Sequence, residues 1–365
     1  MEEDPRYLTE QIVTYLGNKR ALLNFLGQGL EQVKSRLGKN LLKAGDLFAG
    51  SGIVARFLKQ HAEQMVVNDL EEYSRIVNTC YLSNSAEVEA LELDRHYRRV
   101  MRYMEEHDPT PGFITRLYAP RNAARITSED RVFYTRRNAM YLDTARRTIN
   151  LLPEAIRPYF IAPLLAEASI HANTSGVFKG FYKDSRGIGE FGGAGRNALA
   201  RIMGDINLPF PVFSRFDCHY SIHCRDANEL VAELPDLDVV YLDPPYNQHP
   251  YGSNYFMLNL LASYEEPEEI SRVSGIPKDW KRSPYNVRQQ APETLFRLLR
   301  DCPAKFILLS YSSEGFVSYE EMTAFLATQG RVDTLETPYA TFRGSRNLHN
   351  RPRNVTEFLF LVERF

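Results

Sequence analysis

A strand, a glycine turn, a helix and a second strand follow one another between Leu42 and Asp69, and this order dictates a parallel sheet. Asp46-Leu47-Phe48 closes the first strand, Ala49-Gly50-Ser51-Gly52 makes the turn, Ile53 to Gln60 begins the helix, and Met65 to Asp69 forms the next strand. Parallel neighbours cannot be joined by a tight hairpin, so the helix must cross over and pack on the sheet face. The pattern predicts a doubly wound α/β fold. A helix over Glu71 to Leu82 continues it. The same alternation returns near Ser221. Ile222 to Asn228 reads as a strand end and turn, Asp238 to Leu242 and Lys305 to Tyr311 as buried strands, Tyr319 to Gln329 as a helix, and Val355 to Val362 as a terminal strand.

Between these two stretches the character changes. Arg95 to Glu106 and Tyr134 to Leu151 are helical and arginine-rich in pattern, and Pro158 to Ile170 is an apolar helix. A glycine-rich stretch then runs from His171-Ala172-Asn173-Thr174-Ser175-Gly176 through Gly180, Gly187, Gly189, Gly192, Gly193 and Gly195. Such a stretch is either a functional surface loop or a plain connector. The expected organisation is one α/β domain, residues 1–83 and 217–365, split by a mostly helical insert at 84–216.

With 44% hydrophobic and 25% charged residues, the chain has the makings of an ordinary globular core. No apolar stretch approaches the roughly 20 residues of a membrane span. The acidic start, Met1-Glu2-Glu3-Asp4, lacks a signal-peptide pattern, and a cytoplasmic protein is expected. The four cysteines form no Cys-x-x-Cys pair, which fits reduced thiols. Cys218, His219, His223 and Cys224 lie close in sequence, but adjacent strand residues point to opposite faces, so no metal is expected. Net charge is −2. Its distribution is uneven: Arg95 to Arg147 holds twelve arginines, no lysine and six acids. A surplus of that kind suits a polyanion partner, although any single arginine is equally at home on a solvated helix.

Three motifs carry chemistry. The first is the turn from Asp46 through Phe48 to Gly50, Ser51 and Gly52, where glycines let a ligand approach the backbone. The second is Asp69, at the next strand end, seventeen residues beyond Gly52. It can accept ribose hydroxyls or cap the following helix, and the two roles are compatible. The third is Asp243-Pro244-Pro245-Tyr246, which closes the strand 238–242. Its prolines stiffen the turn and lack N–H groups, its carboxylate and carbonyls accept hydrogen bonds, and its tyrosine offers a flat face. This set suits a planar amine that must be held, stacked and alkylated. Both the nicotinamide Gly-x-Gly-x-x-Gly fingerprint and the Gly-x-x-x-x-Gly-Lys-Ser/Thr phosphate loop are absent from the sequence. Upstream, Thr14-Tyr15-Leu16-Gly17-Asn18-Lys19-Arg20 precedes an apolar helix.

In this order the motifs resemble the Dam-like N6-adenine DNA methyltransferases in their alpha arrangement, with a Gly-Lys segment, Phe-x-Gly-x-Gly, an acidic strand end, an insert and Asp-Pro-Pro-Tyr. The resemblance spans almost the whole chain. It implies a Rossmann-like methyltransferase domain (1–83 and 217–365) with S-adenosyl-L-methionine as cofactor, and a target-recognition insert (84–216) that binds double-stranded DNA. Carried over, it implies that Tyr15 and Lys19 contact the cofactor, Lys19 near its carboxylate. Asp46, Phe48, Gly50, Ser51 and Gly52 would form the turn beneath it, Asp69 would hold the ribose, and Asp226 would lie near the adenine. Asp243, Pro244 and Tyr246 would be the catalytic set, Asp243 also bordering the cofactor.

The implied reaction moves a methyl group to the N6 amine of a flipped adenine. Asp243 and the Pro244 carbonyl would take the two N–H bonds while Tyr246 stacks on the base. The resemblance further implies the modification arm of a restriction-modification system with a cognate endonuclease, bacterial or phage-encoded, acting on the nucleoid as a monomer or dimer. Two other readings compete. An amine methyltransferase acting on RNA or protein glutamine often carries Asn in place of Asp243. A non-catalytic DNA-binding module would not need Asp243 and Tyr246 intact. The basic stretch from Arg343 to Arg353 reads as a loop near the DNA backbone or as plain solvated surface.

Overall fold

A computed structural model describes residues 2–193, 195–340 and 354–365. Seven strands form one sheet: β1 (Leu42–Asp46), β2 (Ala62–Asn68), β3 (His219–His223), β4 (Val239–Leu242), β5 (Phe306–Ser312), β6 (Gly330–Ala340) and β7 (Asn354–Arg364). Their spatial order is β3-β2-β1-β4-β5-β7-β6. The first five run parallel, as the crossover pattern requires, and β7 enters antiparallel beside β5 and pairs with β6. The strand order reverses between β1 and β4, and a crevice opens at such a switch point.

Alternation along the strands feeds two cores. Val239 and Tyr241 face the helices Leu23–Leu37 and Ile53–Lys59, and Val240 and Leu242 face Ala291–Asp301 and Tyr319–Ala327. The helix Leu23–Leu37 presents Leu23, Leu26, Leu30 and Val33 at helical spacing and stops at Gly38, whose φ of 64° makes the left-handed cap. A sheet apolar on both faces must be covered twice, which accounts for the three layers.

The segment 84–216 adds no strand to the sheet among the described residues. It is nonetheless packed into the whole. Its apolar helix Pro158–Ile170 shares one hydrophobic cluster with the helices Glu72–Tyr81 and Phe256–Ser263, through Phe160, Leu164 and Leu165 against Ile76, Val77, Leu258 and Leu261. Arg146, 1% exposed, donates to the carbonyls of Leu261 (2.5 Å) and Ala262 (3.2 Å) and caps the end of Phe256–Ser263 from the insert side. No helix among the described residues is long and apolar enough to cross a membrane.

Three elements depart from the sequence reading. The terminal strand is antiparallel, whereas the pattern had suggested a sheet of parallel type. β6 was not anticipated, because an edge strand carrying Arg331, Asp333, Glu336 and Pro338 lacks an apolar run. The helix Phe256–Ser263 was missed because a short segment with six apolar residues in eight shows no clear helical period.

Candidate active site

The carboxyl ends of β1, β2 and β4 converge on one cleft. Tyr15, Phe48, Asp69 and Asp243 all line it, together with Gly17, Leu70, Glu71, Pro245, Tyr251, Gly252, Lys281, Ser283 and Asn286. Four residues from four distant stretches of sequence thus meet at the switch point.

The glycine turn forms its floor. Gly52 N–H donates to the Ala49 carbonyl at 2.7 Å and closes the turn. Gly50 has φ +52°, and a Cβ there would sit 3.0 Å from the Tyr15 ring, so neither the backbone nor the space admits a side chain. Ser51 is buried in the same turn. Asp69 fastens the turn from β2: one oxygen accepts from Gly50 N (2.8 Å), the other from Glu71 N (2.9 Å). A carboxylate has about four acceptor positions, so capacity remains toward the cleft.

Beneath the turn lies Asp46, fully buried. Its Oδ1 accepts from Phe48 N at 3.4 Å, while Oδ2 is buried without a partner. Burial, reinforced by Asp243 and Asp69, raises its pKa well above the ordinary carboxylate value. Burial likewise raises Asp69, and pushes Glu71 up to about 7 and Asp243 up to about 6. Four acids with elevated pKa values at one sheet edge make a site that favours a bound cation.

One wall is aromatic. Tyr15 stacks on Tyr255 (4.5 Å, 16°) and Tyr251 (5.1 Å, 14°), and its hydroxyl meets that of Tyr73 at 3.0 Å. Phe48 meets Tyr285 edge-on at 5.4 Å on the other side. Behind them, Tyr246 packs edge-on to Tyr311 at 5.8 Å and is not among the cleft's lining residues. Pro244 is buried.

Two further residues sit differently from the sequence reading. Lys19 is 4% exposed and does not line the cleft. Its Nζ lies 2.6 Å from Glu357 Oε1 and 3.2 Å from Asp243 Oδ1. Burial would lower its pKa, but the two carboxylates hold it well above the usual lysine value. Asp226 caps the short helix Ala227–Leu230 by accepting from Asn228 N at 2.8 Å. It reaches the Phe48 wall only indirectly, through Asn228 and the Tyr285 hydroxyl (2.7 Å).

Sequence reasoning missed Glu71, Tyr251, Tyr255, Lys281 and Glu357. Three had readable signals: Tyr251 and Tyr255 are four apart, and Glu357 is a lone acid in the apolar run Val355 to Val362. Lys281 lies in an irregular stretch with no pattern to read.

The arginine surplus divides once the chain folds. Arg146 is internal. Arg95, Arg116 and Arg137 pair with Glu92, Glu266 and Asp205. Arg131 and Arg147 donate to backbone carbonyls. Arg99, Arg102 and Arg125 are exposed and make no side-chain hydrogen bond or ion pair among the described residues. The glycine-rich stretch is an ordered loop. Asn173, fully buried, donates to the carbonyls of Val132 and Glu190 and accepts from Gly192 N, and Phe178 N–H donates to Asn254 O beside the cleft. The basic stretch Arg343 to Arg353 lies outside the described residues. Among those described, no group of three or more His, Cys, Asp or Glu residues could hold a metal ion.

Comparison with known proteins gives one family. A family model for the D12 class N6 adenine-specific DNA methyltransferases matches residues 15–325. The type II methyltransferase M.NlaIII of Neisseria lactamica is 27% identical, over 96% of this chain and 99% of its own length. The type II methyltransferase M.CviAII of Paramecium bursaria Chlorella virus 1 is 28% identical, over 96% and 98%. The modification methylase StsI of Streptococcus sanguinis is 28% identical over 96% of this chain but 52% of its own.

Proposed function

Since the chain belongs to the D12 class of N6 adenine-specific DNA methyltransferases, we propose that the switch-point cleft binds S-adenosyl-L-methionine and delivers its methyl group to an adenine held at Asp243. The observation that carries this reading is the meeting of Asp243, Asp69, Phe48 and Tyr15 around one acid-rich, aromatic-walled cleft. Its chemistry fits the cofactor. An orphaned Asp46 oxygen and four carboxyls with raised pKa values favour a ligand with cationic groups. The Tyr15 stack favours a cation or a flat ring. Glycine at position 50 lets the turn pack directly against the Tyr15 ring, where a Cβ would crowd it.

Tyr15, Phe48, Asp69 and the turn Gly50-Ser51-Gly52 would hold the cofactor, above Asp46. Asp226 would act by fixing the helix behind Tyr285. When bound, the cofactor supplies an activated methyl on a sulfonium. What remains for the protein is alignment and charge. The exocyclic amine of adenine is a weak nucleophile because its lone pair is delocalised into the ring. The Asp243 carboxylate and the Pro244 carbonyl would accept its two N–H bonds and stabilise the positive charge that develops on nitrogen. Tyr246 would stack against the base. An adenine inside a duplex cannot reach this cleft, so the base leaves the stack, at a cost of a few kcal/mol. Arg99, Arg102 and Arg125 are the insert cations best placed, by their freedom from internal partners, to meet phosphate.

The full-length match to M.NlaIII and M.CviAII, both named type II methyltransferases, supports a modification enzyme paired with an endonuclease of the same specificity. Methyl-labelled cofactor incubated with the protein and duplex DNA should place label in N6-methyladenine within one sequence context. Label in RNA or protein, or binding with no transfer, would overturn the reading.

A pH dependence follows from the cleft acids. Glu71 and Asp243 have folded pKa values of about 7 and about 6, above those of the unfolded chain. Their contribution to stability is therefore complete at roughly pH 4 and lost as pH rises through 6 and 7. A bound cation restores part of what is lost. Saturating S-adenosyl-L-methionine should raise the melting temperature more at pH 7.5 than at pH 5.5. An equal or smaller rise at pH 7.5 would contradict the charge argument.

A further inference from the structure

Below the Asp-Pro-Pro-Tyr turn, a chain of three charges runs from the sheet interior to the cleft. Glu357, on β7, is 2% exposed at its side chain, Lys19 4% and Asp243 19%, so only the last touches solvent. Ser310, on the neighbouring β5, donates its hydroxyl to Glu357 Oε1 at 2.9 Å, the same oxygen that receives Lys19 at 2.6 Å. The longer contact, 3.2 Å, goes to Asp243. Two acids thus share one ammonium, and the deeper one holds it more closely.

We infer that Glu357, seated on Ser310, is a positioning residue for methyl transfer: it holds Lys19 back from Asp243 and so preserves the negative charge that draws on the target amine. The inference rests on the reading of Asp243 as the amine's acceptor. A lysine paired wholly with Asp243 would neutralise that carboxylate and occupy its lone pairs. A lysine absent altogether would leave two neighbouring acids uncompensated, and Asp243 would lose the positive charge that keeps it ionised. Sharing gives an intermediate state, with Lys19 close enough to keep Asp243 ionised and distant enough to leave an oxygen for the substrate.

The other groups around Asp243 are Tyr241 on β4, Tyr246 after it, Tyr251, Tyr339 on β6 and Asp46 on β1. The phenols are neutral near pH 7. Asp46, on the β1 side, is unchanged in every variant below and so cannot imitate the effect of Glu357. Nothing in the Asp-Pro-Pro-Tyr motif announces this arrangement, because Glu357 lies 338 residues from Lys19.

The test is single-turnover methyl transfer measured across pH, with cofactor and duplex affinities measured alongside. Glu357→Gln keeps the size and an acceptor for Ser310 but releases Lys19 toward Asp243. The acid limb of the rate should then move down by about one pH unit. The plateau rate should fall by about 10- to 100-fold while both affinities stay within about threefold. In the double variant Lys19→Met with Glu357→Gln, both buried charges are gone, a replacement that folded proteins commonly tolerate. There the acid limb should move up, beyond that of the parent. Opposite displacements of this kind would not come from a purely structural role. An unmoved limb in Glu357→Gln, or a double variant displaced in the same direction as the single one, would overturn the inference. Should the single variant fail to fold, the double variant's limb decides alone. Asp243→Ala separates the two levels. If that variant keeps the parent rate, the reading of the site fails. If it is inactive and the limb does not move, only the role of Glu357 fails.

Discussion

Asp243→Ala lowers the single-turnover rate of methyl transfer by about 10³-fold or more, the loss expected when a charge-stabilising group in an enclosed site is removed. The reason is that the carboxylate acts on a charge present only in the transition state. The amine carries little positive charge when the adenine first binds and gains it as the methyl transfers, so the interaction is worth most at the barrier. Duplex affinity should therefore stay within about threefold of the parent and cofactor affinity should fall far less than the rate, with kcat and kcat/KM falling together. The fold should survive, because Lys19 keeps Glu357 as a partner at 2.6 Å when Asp243 is gone. Cofactor affinity can be read from Trp280, the chain's one tryptophan, whose ring lies against Gly252 on the cleft wall. A variant that methylates DNA at the parent rate would remove Asp243 from the mechanism. One that loses cofactor binding and rate in equal measure would make it a binding group.

Much of this site was legible because local chemistry fixed it. An apolar strand ending in Asp-Leu-Phe-Ala-Gly-Ser-Gly has few places to go: the glycines permit the positive φ values that the turn uses at Gly50 and Gly52, and a helix must follow to cover the sheet. Asp69 and Asp243 end strands of the same parallel sheet, so both had to emerge at the same edge. Both readings of Asp69 describe the same side chain, which holds Gly50 and Glu71 and also lines the cleft.

What escaped the sequence was long-range pairing. The family resemblance put Lys19 beside the cofactor's carboxylate, and the residue that claims it comes from the far end of the chain. The arginines from Arg95 to Arg147 looked like one basic surface. Folding assigns Arg146 to a helix end, Arg116 to Glu266 and Arg137 to Asp205. A charge count along the sequence has no access to these partners. Pro338 and three charged side chains hid β6 for a related reason, since edge strands are written in polar residues that elsewhere spell loops.

Lys19→Met should destabilise the protein by about 3–5 kcal/mol, the usual result of removing one member of a buried ion pair. Its Nζ has two carboxylate partners, and the deeper one, Glu357, is left with the Ser310 hydroxyl alone. A hydroxyl cannot compensate a buried charge, so Glu357 must take up a proton or draw in water, and either costs stability. For a chain of 365 residues, with an unfolding entropy near 2 cal/mol/K per residue, the loss corresponds to a fall in melting temperature of roughly 4–7 °C. Thermal unfolding of the cofactor-free protein measures it directly. The same variant discriminates between two places for this lysine. If Lys19 is the interior counter-ion, stability falls without cofactor and the cofactor's affinity changes little. If it reaches the cofactor's carboxylate instead, as the family resemblance implied, the cofactor-free melting temperature stays within about 1 °C of the parent, equivalent to under about 1 kcal/mol, and affinity drops at least tenfold (~1.4 kcal/mol). A molecule with an unchanged melting temperature and lost affinity would therefore contradict the buried triad and the role drawn from it for Glu357.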